Sequence, residues 1–134
     1  MIGLDTNALI RLLTQDDPVR AARVAQRLEP FDKLPESVLL NNVVLIETVW
    51  TLRRVYGFDR QAMQELLAQL LSAQTFGFEN RDVVSQATAL FNSTSADFSD
   101  CLIAAQNAHL GCTLTLTFDK AMSKLPLVDV LAAN

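Results

Sequence analysis

Between Asp97 and Asp119 the chain changes its hydrophobic period, and that change constrains the fold more than any other feature. Asp97-Phe98-Ser99-Asp100-Cys101-Leu102-Ile103-Ala104-Ala105 carries apolar residues at helical spacing with an acid in the first turn, and Gly111 stands where a helix C′ residue belongs. Cys112 to Thr117 then alternates Leu with Thr, the pattern of a strand, and Phe118-Asp119 follows its end. A helix start and a strand end each deliver a carboxylate, at the two places where α/β proteins carry their chemistry.

The rest of the chain repeats this arrangement. Met1-Ile2-Gly3-Leu4 predicts a short strand followed by Asp5-Thr6-Asn7 and a helix over Ala8 to Leu13. Asp16-Asp17-Pro18 predicts a helix start, and the segment to Leu28 places Arg20, Arg23 and Arg27 on one face, which reads as a solvated face rather than an RNA-contact stripe. Pro30 to Pro35 is a connector. Ser37 to Leu40 predicts a buried strand, and Val43 to Tyr56 a helix ended by Gly57, with Glu47 in its first turns. Asp59 is placed to cap a helix over Arg60 to Ala73, whose Met63, Leu66, Leu67, Leu70 and Leu71 form an apolar face. Thr75 to Phe78 predicts a strand, and Asn80 the cap of a helix over Arg81 to Phe91. After Asp119, a last short helix over Lys120 to Leu125 and an edge strand over Leu127 to Leu131 are expected.

Strands near residues 1, 38, 76 and 114 with helices between them describe one α/β domain with a mostly parallel sheet. Right-handed connections then put the strand ends on one rim. The 134 residues are half apolar, enough for one core, and no stretch reaches the roughly 18 apolar residues of a membrane span. With no export leader recognisable, a cytoplasmic protein is expected. Cys101 and Cys112 have neither CxxC nor Cys/His metal spacing and are expected to be small buried apolar residues. His109, in the last turn of its helix, is expected to be structural, since an imidazole there suits the helix dipole.

The net charge of −4 speaks against a basic nucleic-acid-binding surface. Setting Asp5, Glu47, Asp100 and Asp119 aside leaves eleven of the fifteen acids, equal to the eleven Lys and Arg, so the excess is what one acidic cluster would produce. Each of those acids has a local explanation as a helix cap or surface charge. Converging on one rim without cations to pair them, they would repel, raise each other's pKa or bind a hard divalent cation. An all-oxygen donor set favours Mg²⁺ or Mn²⁺ over zinc.

Four segments in order now carry a family resemblance: Ile2-Gly3-Leu4-Asp5-Thr6-Asn7, Ile46-Glu47-Thr48-Val49-Trp50-Thr51-Leu52, Asp97 to Ala105, and Leu116-Thr117-Phe118-Asp119. The chain resembles PIN-domain proteins over essentially its whole length, and more narrowly the VapC-type toxins of bacterial toxin–antitoxin pairs. The resemblance implies a three-layer α/β/α fold with a mostly parallel central sheet, and a Mg²⁺-dependent endoribonuclease in which Mn²⁺ can substitute. Asp5, Glu47, Asp100 and Asp119 would be the catalytic and metal-holding acids, with Thr6, Asn7 and Thr117 beside them. Asp97 is open between a further acid of the site and the helix N-cap. A cognate antitoxin, an RNA substrate and a homodimer are implied as partners. Arg11, Arg53, Arg54 and Lys120 are near the acids in sequence and are candidates for phosphate contact.

Two other classes compete. A catalytically silent PIN-like interaction domain would have no use for the complete acidic set. A receiver-type signalling module would need paired acids after the first strand and an acceptor Asp after a middle strand, whereas Thr6-Asn7 and Asn41-Asn42 occupy those places.

Overall fold

The computed structural model describes residues 1–133. Cα positions divide it into two compact units, Met1–Glu79 and the part from Asn80 onward. Among the described residues the fold is α/β, with six α-helices and strand pairs that are all parallel.

The first unit contains β1 (Ile2–Gly3), α1 (Thr6–Thr14), α2 (Pro18–Leu28), β2 (Val38–Leu40), α3 (Asn42–Arg54), α4 (Arg60–Ser72) and β3 (Phe76–Phe78). Its sheet has the order β1-β2-β3, with Ile2 opposite Val38 and Val38 opposite Phe76. Parallel pairing points all three carboxyl ends the same way, so Asp5, Asn41 and Glu79 follow the strands at one edge. Val38 and Leu40 are fully buried, joined by Leu9 of α1, Leu52 of α3 and Met63 of α4. In α4 the expected apolar face is taken up by this core, since Met63, Leu67 and Leu70 are all buried.

Helix starts follow the capping chemistry of the sequence. Asp17 accepts from the Arg20 N–H with Pro18 behind it, Asn41 accepts from Val44 N–H, and Asp59 from Ala62 N–H. Asn41 therefore starts α3, and the helix begins one residue earlier than Val43. It ends at Arg54 rather than Tyr56, ahead of Gly57 at φ 70°, a conformation open chiefly to glycine.

The second unit contains α5 (Arg81–Ser93), α6 (Phe98–His109), β4 (Thr115–Thr117) and β5 (Val128–Val130), with Thr115 opposite Val128. Phe91 of α5 meets Phe98 of α6 edge-on, with centroids 6.1 Å apart. Asn80 caps α5 through the Val83 N–H, and its Nδ2 lies 3.0 Å from His109 Nε2 at the end of α6. The end of α6 is a Schellman arrangement: Cys112 N–H donates to Asn107 C=O, Gly111 N–H to Ala108 C=O, and Gly111 has φ 98°. Cys101 is buried as expected, but Cys112 is exposed, because that capping turn carries it off the helix into the loop before β4. The expected helix over Lys120 to Leu125 shrinks to a single 3-10 turn at Lys120–Met122, with Pro126 close behind. Among the described residues, no helix is long and apolar enough to cross a membrane.

Replacing Leu52 by Ala should cost about 2–5 kcal/mol in urea denaturation, the range for emptying a fully buried leucine site. Gly77→Ala should also destabilise, by about 1–3 kcal/mol, because a Cβ there would lie 3.0 Å from the backbone oxygen of Glu36.

Candidate metal centre

In the first unit, Asp5 follows β1 and is the N-cap of α1, where its Oδ1 accepts from the Ala8 N–H at 2.9 Å. This bond fixes the carboxylate and leaves Oδ2 without a protein partner among the described residues. The next residue, Thr6, donates its hydroxyl to Glu47 Oε1 at 2.7 Å. That bond spans 41 positions and ties the start of α1 to α3, so Glu47 is held beside the chain neighbour of Asp5. Asp5, Asn7 and Glu47 are exposed, and Thr6 is partly so.

In the second unit, Asp97 is at the N-cap position of α6 and Asp100 is in the first turn. The Asp97 side chain makes no capping hydrogen bond, so its place in the chain is that of a cap while its carboxylate is left uncommitted. Asp119 follows β4 and is the N-cap of the 3-10 turn, accepting from the Ala121 N–H at 2.9 Å. Thr117 Oγ1 accepts from the backbone N–H of Asp119 at 3.0 Å and so shapes the turn that carries this acid.

Burial raises the pKa of Asp100, and the charges of Asp119 and Asp97 and a hydrogen bond with Asp119 raise it further. No cation is among the groups acting on it. Among the described residues no ion pair joins Asp5, Glu47, Asp97, Asp100 or Asp119 to a Lys or Arg. The structure thus places Thr6 with Glu47 at the start of α1, and Asp97 and Asp119 around Asp100. Among the described residues, no three His, Cys, Asp or Glu side chains stand together as a ready-made metal cage. The donor chemistry nonetheless fits a hard divalent cation: oxygen ligands only, and an acid group whose burial and like-charged neighbours a cation would offset.

Arg11, a candidate for phosphate contact, is committed elsewhere. Its Nη1 bonds both oxygens of Asp16 at 3.1 and 3.2 Å. Asp16 also accepts from the Tyr56 hydroxyl at 2.7 Å and the Thr14 hydroxyl at 2.8 Å. Tyr56 first, then Thr14 and Arg11, hold the Asp16 carboxyl down at about 2. The adjacency of Asp16 to a capped helix gave no sign of a partner forty positions away. Glu79 was also missed, although it follows β3 as Asp5 follows β1: its carboxylate accepts from the Asn42 N–H at the start of α3. Lys120 is exposed and Arg53 partly buried, with no carboxylate partner among the described residues.

A family model described as the PIN domain matches residues 2–127. The protein from Aquifex aeolicus (strain VF5) named VapC ribonuclease is 24% identical over 122 residues, covering 91% of this chain and 90% of the relative. A solved toxin-antitoxin complex from Klebsiella pneumoniae shares 20% identity over 96% of this chain and 94% of its own, with a TM-score of 0.36.

Two titrations check the electrostatics. Because Asp16 is depressed in the folded protein, its contribution to stability is present above the ordinary carboxylate value of about 3.9 and is lost as pH falls toward 2. Tyr56→Phe should therefore flatten the loss of melting temperature across that window, as thermal melts at stepped pH will show. Asp119→Asn should lower the Asp100 pKa only part of the way to its ordinary value in a carbon-detected NMR titration, since burial, the largest cause, remains.

Proposed function

Because the chain belongs to the PIN-domain family, we propose that it is a divalent-metal-dependent endoribonuclease acting as the toxin of a toxin–antitoxin pair. The observation that carries this reading is the crowding of Asp119 and Asp97 against the part-buried Asp100 with no cation to offset it. A relative named as a ribonuclease, similar over nearly its whole length, supports the same activity.

In this proposal Asp5, Glu47, Asp100 and Asp119 hold the cation, Mg²⁺ with Mn²⁺ as a substitute. When bound, the metal supplies an activated water and neutralises charge on the phosphate and the departing oxygen. The protein's own residues prepare for that role. The Ala8 N–H pins one oxygen of Asp5, and the Thr6 hydroxyl fixes one oxygen of Glu47. The Ala121 N–H and the Thr117 hydroxyl set the position of Asp119 from its side chain and its backbone. Asn7 follows Thr6 and Asp97 precedes Asp100 by three residues, Asp97 with its carboxylate available for a further contact. The substrate is RNA, the regulating partner is an antitoxin protein, the working form is a homodimer, and the compartment is the cytoplasm.

A silent interaction domain is the second reading, favoured by the lack of a preassembled three-ligand cage among the described residues. One experiment separates the two. Purified protein freed of bound partners, incubated with total cellular RNA and Mg²⁺ or Mn²⁺, should yield discrete fragments that disappear with EDTA. Asp5→Asn and Asp100→Asn should each lower the cleavage rate by about a hundredfold or more with the circular dichroism spectrum unchanged. Undiminished cleavage by both variants would overturn the proposed site, and intact RNA with the wild type would favour the silent domain.

A further inference from the structure

α3 carries Glu47, Trp50 and Arg54 at offsets of three and four residues, so the three share one face, and all are exposed. Trp50 is the chain's single tryptophan and is 59% exposed. The Arg54 guanidinium lies over its ring, 5.7 Å from the centroid. An indole is among the side chains with most to gain from burial, and this one is held in water with a planar cation over its face. Arg53 adds a second cation in the same last turn of the helix.

We propose that Trp50 and Arg54 form a stacking platform for an unpaired base of single-stranded RNA, which positions the strand at the Glu47 end of α3. This rests on the ribonuclease reading above. Unpaired bases are held by stacking on aromatic rings and guanidinium planes, while neighbouring cations take the phosphates. Arg54 and Arg53 match that charge requirement in a protein whose net charge is otherwise negative. From Trp50 back to Glu47 is about 4.5 Å along the helix axis, so a stacked base and the phosphate beside Glu47 belong to the same stretch of strand. A contact with a second copy of the chain fits the face less well. Trp and Arg also suit the centre of a protein interface, but Glu is depleted there, and Glu47 stands one turn from the indole on the same face.

Because Trp50 is the only tryptophan, its own emission reports occupancy. In EDTA, titrating an unpaired oligoribonucleotide into the wild-type protein should quench that emission, and a fully paired duplex of the same sequence should not. Trp50→Ala should raise KM for single-stranded RNA about tenfold with little change in kcat, and Trp50→Phe should restore most of the loss. Unquenched emission together with an unchanged KM in Trp50→Ala, in a preparation whose wild type cleaves RNA, would overturn the platform. A Trp50→Ala protein that sediments as a monomer where the wild type is a dimer, with KM unchanged, would assign the face to a second copy and also overturn it. Quenching by a wild type that cuts no RNA would support the platform and contradict the ribonuclease reading.

Discussion

Negative charge held in place by backbone N–H groups is the constraint on which this structure turns. Asp5 and Asp119 each spend one oxygen on the first turn of a following helical element. A helix start favours a carboxylate both through its unpaired N–H groups and through the positive end of the dipole. The same bond that begins the element therefore immobilises an acid at a strand end. Capping a helical turn does not bar either acid from a metal, since a carboxylate has two oxygens and a cap uses one.

Two acids show how sharply the surroundings divide. Asp16 receives two hydroxyl donors and a guanidinium, and its carboxyl is stabilised in the charged form down to about 2. Asp100 receives burial and two like charges, and its charged form is penalised. The first group is satisfied by the protein itself and fastens the end of α1 to the residues after α3. The second is left with an electrostatic cost that nothing in its own surroundings removes. Perturbed carboxyl groups of this kind cluster at functional sites.

Most of the fold was legible because the short strands and capped helices follow local rules. Asp17-Pro18, Asp59, Asn80 and Gly111 mark the boundaries that the structure has. What escaped depended on distant partners. The Thr6 bond to Glu47 and the Tyr56 bond to Asp16 join positions about forty apart, and no periodicity encodes them. Cys112 was misplaced for a local reason, as its apolar character suggested burial while the glycine turn before it sends it outward. The candidate acids could be named from the resemblance, but their environments could not. Only the structure shows that Asp97 stands at a cap position without capping and that Asp100 is the acid under strain from its neighbours.

The central claim is that these carboxylates hold a divalent cation. Calorimetric titration of Mn²⁺ into EDTA-treated, partner-free protein tests it most directly, with Glu47→Gln and Asp100→Asn run alongside. The account predicts saturable binding by the wild type and its loss in both variants. Binding that persists in both, or a folded wild type that binds no metal, would contradict it.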